Sequence, residues 1–335
     1  MTRARDIADQ QDNLGGAVSP YTAGKNAVIN GGFDIWQRGT TFTNPSSNTY
    51  GPDRWTIGDN TGCVYTRQST DAPTGIQYFL RAFRTAGTSS TSNINVVQSI
   101  DTANSIPLAG KTVTFSLYLR KGTNGPSNLN IALVWGTGTD GSLWQGGGNG
   151  GTIAGASQAI TTSWARYTYT GVVPSNATQL FVWAYYSATG TAPANEYFDI
   201  TGVQLEIGSQ ATPFARAGGS IGSELELCQR YYYRLTANGY QYFCTSANFS
   251  TTSTLGAVTF PVTMRTSPSL GSSAANTFMV YETSVIYAGN AVPQSDGSTP
   301  NTNGISQSTT GLTAGRAANI RANNTTAYLE FNGEF

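Results

Sequence analysis

Glu196–Arg234, EYFDITGVQLEIGSQATPFARAGGSIGSELELCQRYYYR, decides how the rest of the chain divides. Phe198 and Ile200 alternate, then the apolar phase slips by one residue and Val203, Leu205 and Ile207 carry it on. Side chains alternate faces along a strand, so an uncorrected slip would turn half of this one the wrong way. A β-bulge at Gly202 restores the inward face. Pro213 and Gly218-Gly219 cannot continue a ladder. Ser223-Glu224-Leu225-Glu226 has capping-box spacing and predicts Ser223 as the cap, with Glu226 reaching back. The helix is brief, because Arg230–Leu235 is aromatic and strand-like. The stretch reads as the last strand of one β domain, a short linker, a helical turn and the first strand of another.

Upstream, strands are expected at 56–57, 63–67, 77–83 and 94–100. The clearest is 111–120, with Val113, Phe115, Leu117 and Leu119 on one face. Further runs follow at 128–135, 164–170 and 180–186. Strands without an intervening helical period make a β-sandwich or jelly roll. The glycine-rich stretch 136–155 reads as a loop, and an indole within it, Trp144, is either tucked back or offered to a ligand. Downstream, Asn238-Gly239 between 231–237 and 240–246 predicts a type I′ hairpin. Residues 255–264, 277–287, 312–322 and 327–331 look like strands, and 290–307 a long surface loop. About 110 residues with few large aliphatics make a thin distal core, which favours an oligomer.

Only 11% of the residues are charged, against roughly 25% in ordinary globular proteins. The 18 Tyr, 14 Phe and 6 Trp argue against disorder and for β structure. Lys and Arg together equal Asp and Glu at 18 each, so no electrostatic footprint for nucleic acid or anionic lipid exists. The odd count of cysteines, Cys63, Cys228 and Cys244, is no disulfide framework. Residues 1–16 carry no apolar signal-peptide core, and no stretch approaches a membrane span. Together these predict a chain made in a reducing cytoplasm yet composed like a surface-exposed β protein. The polar leader 1–25 has too little apolar stripe to fold on a core of its own, so it is a tail or a docked arm.

The FDITGVQLEIGSQATPF run followed by ELELCQRYYYR, with INGGFDIWQRGTTF at Ile29–Phe42 and YGPDRW at Tyr50–Trp55, resembles tailed-bacteriophage fibre and spike proteins. In that family a carbohydrate-binding-module-like jelly roll precedes a small distal β domain. The resemblance covers Asn26 to Arg234, and the leader is also similar. It implies an all-β chain in four parts: an attachment arm over 1–25 carrying Arg3, Arg5, Asp6 and Ile7, a jelly roll over 26–210, a linker over 211–223 and a smaller β-sandwich over 224–335. It further implies a homo-oligomer, a trimer, mounted on other virion proteins and touching host-surface polysaccharide. The expected place is the virion surface, after assembly in the host cytoplasm without a signal peptide. Neither nucleic acid nor membrane insertion is expected.

Chemistry is sparse. The chain has no histidine, which removes Ser-His-Asp and Cys-His arrangements. Gly110-Lys111-Thr112 lacks the upstream glycine of a phosphate-binding loop, Ser105 standing in its place. Asp53, Asp140, Glu196 and Asp199 are the acids a glycosidase would need as a flanking pair. Asp53 also reads as a turn or ion-pair residue and Asp140-Gly141 as a plain turn, and no enzyme is expected. No cofactor is expected either. By analogy with carbohydrate-binding jelly rolls, Asp34 and Asp199 are weak candidates for a structural Ca²⁺, which needs six to eight oxygens. Sugars present C–H faces to aromatic rings and hydroxyls to polar groups. Of Trp36, Trp55, Trp135, Trp144, Trp164 and Trp183, most fill the sandwich. Trp144 and Tyr185 are the candidate sugar contacts, with Arg166 as a polar neighbour on the face opposite Tyr167. The reading is a fibre or spike subunit that contacts glycans without catalysis. The alternatives are an architectural head fibre or capsid decoration protein and, third, a polysaccharide depolymerase.

Overall fold

The computed structural model describes residues 23–58, 61–143, 148–289 and 291–335. Arg3, Arg5, Asp6 and Ile7 of the expected arm, and Trp144, lie outside the described residues. The chain divides into two compact units, one ending at Leu225 and joined by Phe335, the other Glu226–Glu334. Among the described residues no helix is long and apolar enough to cross a membrane.

The first unit is built from β1 (Thr41–Thr43), β2 (Thr49–Tyr50), β3 (Thr56–Gly58), β4 (Cys63–Gln68), β5 (Phe79–Arg84), β6 (Asn93–Ile100), β7 (Thr112–Lys121), β8 (Asn128–Gly136), β9 (Gly151–Ala159), β10 (Ala165–Val172), β11 (Gln179–Ser187) and β12 (Glu196–Ile207). They form two six-stranded antiparallel sheets, ordered β1-β4-β5-β12-β7-β10 and β2-β3-β6-β11-β8-β9. Neighbours in each sheet are mostly distant in sequence, as in a jelly roll. Period-two patterning explains the core. Leu117 and Leu119 of β7, Ile200 and Leu205 of β12, and Leu180 and Val182 of β11 all turn inward and are buried. The glycine-rich stretch is a loop only in part, since Gly151 onward forms β9 against β8. There Gly155, at φ +147°, lets the backbone pass close to the Ile131 carbonyl.

The bulge lies where the apolar phase predicts it. The register of β12 on β7 shifts between Thr201 and Gln204, with Gly202 at φ +58°. Val203 N–H donates to the Gly31 carbonyl at 2.9 Å, and the Val203 carbonyl accepts from Asn26 Nδ2 at 3.0 Å. The motifs behind the family resemblance meet here. Asn30 Nδ2 donates to the carbonyls of Ile35 and Asp53, and Trp55 Nε1 donates to the Asn30 carbonyl. The Asp53 carboxylate accepts from Gln37 and lies 4.0 Å from Arg38. These motifs knit one end of the sandwich and are spent on structure.

The stretch 211–223, expected as a linker, packs onto the sandwich. Ala215 and Ala217 are buried. Ala215 N–H donates to Gln204 Oε1, and Thr212 N–H to Glu206 Oε1. The capping expectation shifts by one turn. In the nine-residue helix Ile221–Gln229, Ser220 Oγ accepts from Ser223 N–H at 3.2 Å. Glu224 instead turns back to take Asn30 N–H at 2.5 Å and Gly218 N–H at 2.6 Å. Burial pushes its carboxyl up, against the pull of those two donors.

The second unit holds β13 (Tyr232–Thr236), β14 (Tyr242–Asn248), β15 (Ser253–Thr259), β16 (Ser269–Ser272), β17 (Phe278–Glu282), β18 (Val285–Ala288), β19 (Gln294–Ser298), β20 (Thr302–Ser308), β21 (Ala317–Ala322) and β22 (Tyr328–Asn332). A three-stranded sheet, β13-β22-β16, accompanies a seven-stranded one, β18-β17-β21-β14-β15-β20-β19. The predicted hairpin at Asn238-Gly239 does not form, because β13 and β14 belong to different sheets. The left-handed residue of that turn is Tyr240, at φ +69°, not Asn238 or Gly239. The polar stretch 290–307 is likewise no long loop, for β19 and β20 pair within it. β19 is the edge of its sheet, while interior β20 buries Asn303 and Gln307 beside Ile305, and so polar a strand pair hides the strand signal. The core gathers around Phe243, Phe260, Phe278, Ile320 and Phe331.

Candidate functional site

The outer face of the sheet centred on β11 carries a half-exposed aromatic surface. Leu180, Val182, Ala184 and Tyr186 turn into the core, so Phe181, Trp183 and Tyr185 share the opposite face. Trp183 lies between Val97 of β6 and Ala132 of β8, and Tyr185 between Asn95 and Asn130. The indole is half-buried and packs on the sheet over Ala132, Val134 and Phe181. Its ring stacks on Tyr185 with centroids 4.1 Å apart and planes at 21°. Trp183 Nε1 donates to Asn95 Oδ1 at 3.0 Å, which fixes the indole. Beneath, Ala132, Val134 and the buried Phe181, with Leu143, form a satellite apolar cluster.

Beside this platform lies a cavity of about 190 Å³ lined by Ser47, Asn48, Thr56, Gly58, Asn95 and Val97 with Ile57. Its wall depends on Gly58, at φ +117°, where a Cβ would meet the Ser46 carbonyl at 2.3 Å. Every polar lining group among the described residues is uncharged. Flat aromatic surface beside amide and hydroxyl groups can take a sugar ring by its C–H face and bond its hydroxyls.

Tyr185 is therefore half-buried on this surface, while Arg166 is not near it. Arg166 stands on β10, in the other sheet, where Nη2 donates to Ser116 Oγ at 2.9 Å and to the Thr212 carbonyl at 2.6 Å. It anchors the returning chain. Trp183 was the residue that sequence reasoning left among the core tryptophans. Its i, i+2 spacing from Phe181 and Tyr185, against inward Val182 and Ala184, is the signal that finds it.

The acids are engaged. Asp199 is fully buried and bound by two arginines, Arg81 through Nε at 2.8 Å and Nη2 at 2.9 Å, and Arg120 through Nε at 2.8 Å. The hydrogen bond to Asp199 holds the Arg81 guanidinium above its ordinary range. Asp34 is clasped by Arg216 at 2.7 and 3.2 Å. Both calcium candidates thus already hold a guanidinium cation, and neither fits as part of a Ca²⁺ donor set. Among the described residues no three His, Cys, Asp or Glu side chains gather as a metal site. Glu196 pairs with Arg84 at 3.1 Å, and Asp140 Oδ1 accepts from Thr102 N–H. The three cysteines are buried and form no disulfide with one another, and burial pushes the Cys63 thiol up to about 12.

No protein-family model matches the chain, and no curated protein matches it. Solved structures similar to it include the enzymatically active domain of tailspike protein 4 of bacteriophage CBA120, at 15% identity and a TM-score of 0.36, covering 57% of this chain and 22% of that one. The CBM22-1 xylan-binding domain of Xyn10C from Paenibacillus barcinonensis is similar at 14% identity and a TM-score of 0.32, covering 57% of this chain and 99% of the other. A CBM4 structure is similar at 18% identity and a TM-score of 0.32, covering 53% and 98%. The chain thus spans about a fifth of the tailspike chain it matches.

Proposed function

We propose that this chain is a non-catalytic glycan-binding subunit of a phage tail fibre or spike, carried at the virion surface as a homo-oligomer. The observation that carries the reading is the Trp183–Tyr185 stack, half-exposed on an outer sheet face beside uncharged polar groups. Such a surface suits a neutral polysaccharide of the host envelope. The acids of the first unit support the non-catalytic part, since Asp53, Asp199 and Glu196 are each tied to an arginine. A glycosidase needs one carboxyl free to give its proton and a second facing it across the bond. Binding at one platform is weak, and several copies on a particle raise the avidity.

A glycan array probed with the purified chain, followed by Trp183→Ala, tests this. Neutral glycans are expected to bind with little dependence on salt, since stacking is not ionic. The substitution is expected to lower affinity tenfold or more while leaving the unit folded. An array and a host-cell pull-down that both stay blank would return the chain to the architectural reading.

A further inference from the structure

The opposite sheet holds a second pocket of different chemistry. It lies over the outer face of β5, β12 and β7, encloses about 330 Å³ and includes Arg81, Arg120, Lys121, Tyr197, Thr123 and Asp71 in its lining. Gln68, Thr70 and Thr162 complete its polar rim. Among the described residues three cations face two carboxylates, Asp71 and the buried Asp199, which leaves one positive charge in surplus. Asp199 engages both arginines from below and leaves Nη1 of Arg81 and both Nη groups of Arg120 without a hydrogen-bond partner among the described residues.

Those guanidiniums are held in place. Arg81 stacks over Tyr197 at 3.9 Å, and Arg120 lies 4.8 Å from the Trp164 ring and 5.1 Å from Phe79. Trp164 is itself fixed, donating from Nε1 to the Asp71 carbonyl at 2.5 Å. Gly122 admits the Tyr197 ring, because a Cβ there would meet it at 2.2 Å. Planar guanidinium edges set at fixed angles match a carboxylate, and little side-chain freedom remains to be lost on binding.

We propose that this pocket binds the carboxylate of an acidic sugar, of the uronate class, with Arg120 and Arg81 pairing the anion. Gln68, Thr70, Thr123 and Thr162 then serve the ring hydroxyls. The space is several times that of a bare oxyanion and suits a ligand of saccharide size. The inference rests on the glycan-binding reading for the kind of ligand, but it concerns a separate surface with an opposite response to salt.

The test uses the full chain and calorimetry with oligogalacturonate and with its methyl ester, which keeps the ring and removes the charge. The acid is expected to bind at least tenfold tighter than the ester and to weaken several-fold as salt rises. Lys121→Gln lies outside the Asp199 clasp, so it should leave the fold intact while weakening the acid alone, and Trp183→Ala should leave this binding unchanged. Equal affinity for acid and ester would overturn the assignment. So would competition by inorganic phosphate at equal affinity, which would make the pocket a general anion site. If uronate and sialate oligomers all fail to bind while neutral glycans bind through Trp183, the arginine pocket's assignment falls alone. If no glycan of either kind binds, the glycan-binding reading falls with it.

Discussion

Single residues show which positions this sandwich cannot change. Gly31 lies under the bulge of β12, where a Cβ would stand 2.0 Å from the Val203 carbonyl oxygen. That neighbour is bulge backbone whose carbonyl Asn26 Nδ2 already holds, and it cannot swing aside. Gly31→Ala is expected to cost about 3 kcal/mol, the upper end for overpacking, read as a lower denaturant midpoint with an unchanged slope. Asp199 is constrained by charge rather than space. Its carboxylate is fully buried under two arginines whose side chains are 24% and 15% exposed. Asp199→Ala leaves both guanidiniums without their anion and is expected to cost about 3–5 kcal/mol, as for other broken buried pairs. Chemical denaturation measures it directly, and a loss under 1 kcal/mol, as for surface pairs, would mean that solvent takes over the carboxylate's part.

Elements show what the sequence made legible and what it hid. The β12 bulge was readable because an apolar slip of one residue has a single economical repair. The inward strands β7, β8 and β11 were readable from alternation. The hairpin at Asn238-Gly239 failed because turn chemistry is local, whereas β13 finds its partner in β22, nearly a hundred residues away. The strands β19 and β20 were hidden by their Thr, Ser, Asn and Gly content. The aromatic platform was half legible: Tyr185 was visible as a candidate, but Trp183 was absorbed into the core because tryptophan so often fills one. The arginine pocket escaped altogether, since β5, β12 and β7 bring together residues from three distant stretches. One element-level device also carries a pH dependence. Glu282, at the end of β17, accepts from Asn248 Nδ2 at 2.7 Å and Thr313 N–H at 3.1 Å, tying β14 and the approach to β21 to it. The Thr313 donor, helped by Asn248 and Arg316, holds its carboxyl below the ordinary glutamate range. A carboxyl whose folded pKa is depressed stabilises the fold above its unfolded pKa, and that contribution disappears as pH falls through the folded value. Thermal melts of the second unit's signal are expected to drop on acidification below about pH 4.3, and Glu282→Gln should flatten that drop. An unaltered pH profile in the variant would assign the acid sensitivity to another group.

At the scale of the whole molecule, the second unit leaves several bulky apolar side chains exposed. Phe249 is 82% exposed, Tyr240 58%, Tyr242 57% and Ile286 52%. Single exposed apolar side chains are ordinary, but several bulky ones on a unit of this size point to surface covered in an assembly. The chain's low charge acts in the same direction, because few like charges oppose association. If copies of the chain cover these residues, the assembly also supplies the repeated platforms that weak sugar stacking requires. Light scattering of the purified chain is expected to give a multiple of 35.4 kDa, independent of dilution over the micromolar range. Phe249→Ser removes a large apolar side chain that the single chain does not bury, so the isolated fold should keep its circular dichroism. If Phe249 is at the contact, the variant scatters as a smaller species and binds glycan-coated surfaces far more weakly, while its affinity for a single soluble oligosaccharide is unchanged. A wild-type chain that scatters as a stable folded monomer would count directly against the oligomer and leave avidity to the spacing of separate subunits on the particle.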